Sequence, residues 1–171
     1  MFRRIAVVNR GEAAVRLIRA VRELNAEHGF GIQTIAMHTA AERRAMFVRQ
    51  ADDTVCIRPS GSGNAGPGNA GPGNTGPGNA YLDHAALADA LRRSNADAVW
   101  VGWGFVAEDP AFAEVIRSMG ITFIGPSPEA MRLLGDKVQA KLLAEKVGVP
   151  VAPWSGGPVE TRADARRHAQ S

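Results

Sequence analysis

The sequence predicts an α/β fold, an open parallel sheet with helices on both faces. Short apolar, β-branched runs recur at residues 5–8, 32–37, 54–57, 96–101 and 121–124, and segments with helical apolar spacing stand between them. Several of the runs empty into turns that carry glycine. Strands alternating with helices in this way imply right-handed βαβ crossovers and a sheet buried on both faces.

Composition bounds the rest. A length of 171 residues holds one ordinary domain and the beginning of a second. With 45% hydrophobic and 22% charged residues, the chain has a globular composition. The net charge of +3 is mild, and Arg10, Arg16, Arg19 and Arg22 are spread along one segment without forming a basic block, which argues against nucleic-acid binding. A single cysteine, Cys56, excludes an internal disulfide and reads as a buried thiol in a strand. No run approaches the roughly 18 apolar residues of a membrane span, and no signal-peptide core precedes the first strand. The expected location is therefore the cytoplasm.

Ile5-Ala6-Val7-Val8 is the first strand, and Asn9-Arg10-Gly11-Glu12 is its turn. Ala14, Leu17, Ile18, Val21 and Leu24 then recur as one face of a helix. The turn lies at a strand's carboxyl end, where open α/β sheets bind ligands, but it lacks the three glycines of a dinucleotide fingerprint. Asn9 is suited to satisfying turn amides, and Arg10 with Glu12 to a surface ion pair. Residues 32–37 form the second strand, 41–50 a short helix with Met46, Phe47 and Val48, and 54–57 the third strand.

Residues 60–80 then break the pattern with a Gly-Asn-Ala/Thr-Gly-Pro repeat of period five. It lacks the every-third glycine of collagen and any large apolar side chain, so it predicts a flexible surface loop. From Tyr81 order resumes. Asp83 caps a helix with Ala86, Leu87, Ala90 and Leu91 buried and with Arg92 and Arg93 near its end. Strand 96–101 runs into Gly102-Trp103-Gly104-Phe105-Val106-Ala107-Glu108-Asp109, and Pro110 opens a helix with Phe112, Ala113, Val115 and Ile116. Strand 121–124 ends at Gly125-Pro126. Ser127 caps a short helix stopped by Gly135, and Asp136 caps an amphipathic helix to about Val147. Residues 154–158 read as a connector, and 160–171 as the start of a polar helix.

Several of these stretches together resemble the N-terminal domain of biotin carboxylases. They are Val8-Asn9-Arg10-Gly11-Glu12-Ala13-Ala14 with Arg16 and Arg19, Tyr81-Leu82-Asp83, the stretch from Gly102 to Asp109 followed by Phe112-Ala113, Phe123-Ile124-Gly125-Pro126, Gly135-Asp136-Lys137 and Gly148-Val149-Pro150. The likeness runs over nearly all of residues 2–158 and is interrupted by the repeat. The wording from Trp100 to Asp109 is similar to that of long fused acyl-CoA carboxylases, whereas the usual family pattern reads His-Pro-Gly-Tyr-Gly-Phe-Leu-Ser-Glu-Asn. Trp100, Val101, Trp103, Ala107 and Asp109 depart from that pattern, which bears on the acyl substrate more than on the reaction.

The resemblance implies a Rossmann-like domain over residues 1–134 that precedes an ATP-grasp domain, with residues 135–171 beginning the linker helices toward it. It implies ATP- and bicarbonate-dependent carboxylation of biotin held on a carrier domain, with Mg²⁺ or Mn²⁺. It further implies carrier and carboxyltransferase partners, a homodimer, and a place in acyl-CoA and fatty acid metabolism. The family's catalytic residues, metal ligands and glycine-rich lid belong to later segments, so this chain alone is expected to be inactive, with no catalytic or metal-binding residue of its own.

Three sets of residues carry over. Lys137 matches the family's ATP-contacting lysine; at a helix start, backbone amides and an ammonium can both face a phosphate, although a lysine there can equally be a solvated surface residue. Trp103, with Gly102 and Gly104, matches the aromatic turn near biotin, or else plugs the sheet end. Arg16, Arg19 and Glu23 share a helical face that in the family lies at the homodimer interface; otherwise it is a solvated charged face in which Arg19 and Glu23 pair. His38 and His84 lack companion ligands for a metal. The competing readings are a related ATP-grasp ligase such as carbamoyl phosphate synthetase, and a non-catalytic dimerisation or binding module.

Overall fold

The computed structural model describes residues 2–58, 80–104 and 106–170. The repeat predicted to be a flexible loop lies almost wholly outside the described residues. The chain divides into two compact units, Met1–Ser127 and Pro128–Ser171.

The first unit is the predicted α/β sheet. Its strands are β1 (Arg4–Val7), β2 (Gln33–His38), β3 (Asp53–Cys56), β4 (Ala98–Trp100) and β5 (Thr122–Ile124). They lie in the order β3-β2-β1-β4-β5, and every neighbouring pair is parallel. Around them pack α1 (Gly11–His28), α2 (Met46–Gln50), α3 (His84–Ser94) and α4 (Pro110–Ser118).

The strands read as unbroken apolar runs because both faces of the sheet are covered. Successive side chains alternate sides. On one side Ala6, Val8, Ile35, Met37 and Val99 meet Leu87, Leu91, Phe112 and Ile116 from α3 and α4. On the other, Val7 and Ala36 meet Ala14 and Ile18 of α1 and Phe47 and Val48 of α2, while Ile5 and Ala98 meet Val21 and Ile32.

The predicted Asp83 cap forms, and the structure adds a cap at Asp109. Asp83 accepts from the Ala86 amide at 2.9 Å, and Asp109 accepts from Ala111 at 2.9 Å and Phe112 at 3.2 Å. Three expectations are corrected. The helix expected over 41–50 is a 3₁₀ turn, Ala40–Glu42, followed separately by α2, because Ala45 is extended and breaks the run. Cys56 is half-buried, since β3 is an edge strand. The expected Arg10–Glu12 and Arg19–Glu23 pairs do not form among the described residues: Glu12 pairs with Arg16 at 3.3 Å, and Arg10 with Glu42 at 3.6 Å. Tertiary partners outcompete the sequence-local ones for Arg10.

The second unit holds α5 (Pro128–Gly135), α6 (Lys137–Lys146) and α7 (Arg162–Gln170). Asp136 caps α6 by accepting from the Gln139 amide at 2.8 Å. No residue of α6 is buried, and Leu133, Leu134, Leu142 and Val147 are exposed. Trp154 donates its indole N–H to Glu145 at 2.7 Å and lies under Lys141.

The amino ends of the strands are held by Arg4. Its guanidinium donates to Gln33 at 2.5 Å, to the Ser94 carbonyl at 3.0 Å and to Asp53 at 2.7 Å. The Arg4 hydrogen bond, and then the Thr54 amide, hold the Asp53 carboxyl below its usual range. A depressed carboxylate contributes stability above its unfolded pKa of about 4 and loses that contribution as pH falls through the folded value. Asp53→Asn should therefore change stability at pH 7 by about 1 kcal/mol or less, because the pair is partly exposed, and should flatten the loss of stability on acidification below about pH 5. Urea midpoints across that range measure both.

Candidate functional site at the carboxyl edge of the sheet

The order β3-β2-β1-β4-β5 reverses direction between β1 and β4, and ligands of open parallel sheets bind at the carboxyl side of such a reversal. Two turns identified in the sequence meet there. Val8 continues the pairing beyond β1 by donating its amide to the Trp100 carbonyl at 2.9 Å. Asn9, only 5% exposed, accepts from the Arg10 amide at 2.7 Å and donates its side-chain N–H to the Val101 carbonyl at 2.8 Å. It thus satisfies a turn amide, as expected, and also ties the β1 turn to the β4 turn.

Glycine is required on the β4 turn. Gly102 has φ +59°, and a Cβ there would come within 2.6 Å of the Trp100 ring. Trp103, between Gly102 and Gly104, is 68% exposed and does not plug the sheet end. That packing falls to the half-buried Trp100, whose ring meets Trp103 edge-on at 6.4 Å and 82°.

Glu42 organises the neighbouring strand end. Its Oε2 accepts from the Thr39 amide at 3.0 Å, the Thr39 hydroxyl at 2.8 Å and the Tyr81 hydroxyl at 3.0 Å, while its Oε1 faces Arg10. The Met37 carbonyl lies 2.9 Å from the same hydroxyl, whose single hydrogen is shared between that carbonyl and Glu42. Arg10, Glu42, Val15, Met46 and Phe47 line an open cavity of about 600 Å³. The sequence held one signal for this hub, since Thr39-Ala40-Ala41-Glu42 has the spacing of a capping box. Nothing local pointed to Tyr81.

The other residues singled out in the sequence are placed as follows. Arg16, Arg19 and Glu23 are exposed on α1. Lys137 is exposed as the first residue of α6, in the second unit. Buried His38 meets the Thr39 carbonyl at 2.8 Å, and His84 meets Asp109 at 2.8 Å. Among the described residues no group of three or more His, Cys, Asp or Glu side chains converges to hold a metal ion, and no helix is long and apolar enough to cross a membrane.

Fold and turns together define an open parallel α/β domain with a glycine-framed aromatic at its topological switch. Residues 1–131 match the family model described as biotin carboxylase, N-terminal domain, and the chain belongs to that family. It is 39% identical to biotin carboxylase of Haemophilus influenzae over 159 residues, 93% of this chain and 31% of that protein. It is 32% identical to the human mitochondrial propionyl-CoA carboxylase alpha chain over 169 residues, 99% of this chain and 20% of that one. Among solved structures, the biotin carboxylase domain dimer of Hydrogenobacter thermophilus 2-oxoglutarate carboxylase, in complex with MgADP, ADP and bicarbonate, superposes with a TM-score of 0.79. It is 35% identical, over 99% of this chain and 33% of that one. The chain spans about a third of the length of the biotin carboxylases it matches.

Burial, then the negative charge of Glu42 and the hydrogen bond to it, push the Tyr81 phenol above its ordinary pKa. A raised pKa makes its stabilisation complete below the unfolded value of about 10 and lost as pH rises through the folded one. Tyr81→Phe should cost about 1–3 kcal/mol at pH 7 and remove its share of the alkaline loss above about pH 10. Chemical unfolding at neutral and alkaline pH compares the two proteins.

Proposed function

We propose that this chain supplies the N-terminal domain of a biotin carboxylase within a biotin-dependent acyl-CoA carboxylase. Residues 1–134 form the Rossmann-like domain, and 135–171 begin the link to an ATP-grasp domain. The observation that carries the reading is Trp103, an exposed aromatic held between two glycines at the carboxyl edge of a family-matched sheet.

The reaction would use ATP to activate bicarbonate and pass the carboxyl group to carrier-bound biotin. It needs cations against phosphate, a divalent metal and a base. This chain's share is binding. Trp103 and Gly104 would border biotin, where an aromatic face with glycine neighbours accepts a flat ring at close approach. Lys137 would meet ATP: its ammonium and the free amides of the α6 start carry positive charge at one place. Arg16, Arg19 and Glu23 would serve a homodimer face. Mg²⁺ ligands and the base would come from the ATP-grasp domain, the carboxyl would leave on a carrier toward a carboxyltransferase, and the enzyme would work in the cytoplasm in fatty acid metabolism.

A chimera tests this directly. Replacing the corresponding region of Haemophilus influenzae biotin carboxylase with this chain should give bicarbonate- and biotin-dependent ADP release, while the chain by itself gives none. Lys137→Ala in the chimera should raise the half-saturating ATP concentration about tenfold or more, the size of one lost charged hydrogen bond. A folded chimera without turnover, or one indifferent to Lys137→Ala, would count against the assignment.

A further inference from the structure

We propose that Asn9 is a positioning residue for Trp103 and acts through the turn that carries it. The inference rests on the reading of Trp103 as a biotin contact. Asn9 is buried, and the two ends of its planar amide hold different partners. Oδ1 takes the Arg10 N–H at 2.7 Å, and Nδ2 gives its hydrogen to the Val101 carbonyl at 2.8 Å. Val101 is the last residue before the turn.

The same amide lies against both glycines that flank the indole. A Cβ at Gly102 would stand 3.0 Å from Nδ2, and one at Gly104 would stand 3.2 Å from it. Trp103 therefore sits on a short bridge whose two supports rest on one side chain. The Trp100 ring adds one edge-on contact to the indole, at 6.4 Å. An indole 68% exposed has little packing of its own to hold one orientation, so its backbone must do so.

Asparagine is the residue that this geometry requires. Aspartate has the same shape but lacks the donor and would set an oxygen against the Val101 carbonyl. Alanine would leave that carbonyl short of a partner and open space under the turn. In either case the turn relaxes and the indole loses its fixed direction, although the sheet below remains paired.

In the 171-residue chain carrying Trp154→Phe, the long-wavelength tryptophan band of the near-ultraviolet circular dichroism, beyond the absorption of Tyr81, reads the Trp100–Trp103 pair, and tryptophan quenching by free biotin reads the ligand. Asn9→Asp should unfold cooperatively, lose most of the tryptophan band and raise the half-quenching biotin concentration about tenfold, equivalent to one buried hydrogen bond. Gly104→Ala, which presses on Nδ2 from the turn side, should likewise lose the tryptophan band and serves, by that band alone, where Asn9→Asp does not fold. Asn25 clamps Ile32 with both ends of its amide, at 2.7 Å and 2.9 Å, far from the turn. Asn25→Asp should therefore destabilise the chain and leave the band intact. An unchanged band in a folded Asn9→Asp or Gly104→Ala protein overturns the proposal. A lost band in a protein whose parent never responds to biotin supports the positioning role and overturns the biotin contact.

Discussion

The pairing of β1 with β4 is the constraint on which the rest of this domain depends. β1 has a parallel neighbour on each side and helices over each face, so its side chains have no solvent-facing alternative. Both ends of the pair are pinned. At the amino end the Asp97 carboxylate accepts the Arg3 and Arg4 amides at 2.8 Å and 3.0 Å. At the carboxyl end the Val8 amide and the Asn9 side chain continue the ladder into the turns. A parallel ladder that is held at both ends cannot slip without exposing every core side chain it carries.

What the site inherits from that pairing is rigidity at an edge otherwise made of loops. Glu42 adds a second anchor. A carboxylate accepting three hydrogen bonds and facing a guanidinium is satisfied where it stands, and its three donors come from the chain on either side of the repeat. Tyr81 follows that repeat closely and returns the chain to the end of β2 through the Met37 carbonyl. The low dielectric around buried Tyr81 makes these bonds costly to break, because any group left unpaired there would lack water.

The departures from the usual family wording have physical readings in the fold. Trp100, where the pattern has histidine, forms the floor under the β4 turn and the edge contact for Trp103. Asp109, where the pattern has asparagine, keeps the helix cap through Oδ1 and uses its second oxygen to meet His84. With both contacts, Asp109 ties the start of α3 to the start of α4.

Much of the fold was legible in sequence because it rests on local chemistry. Two-sided burial leaves continuous apolar strands, helix faces leave their spacing, and Asp83 and Asp136 sit where uncapped amides need them. The Asn-Arg-Gly-Glu and Gly-Trp-Gly turns were legible as candidate sites for the same reason, since strands emptying into glycine announce themselves. What tertiary structure alone decided was who meets whom at that edge. Arg10 had a local acid in Glu12 and took Glu42; Trp103, which by sequence could plug the sheet end or line an open turn, stands exposed while Trp100 packs; Asn9 reached Val101, and Tyr81 reached Glu42. These contacts join residues tens of positions apart, and their partners are chosen by the strand order, which no local spacing encodes.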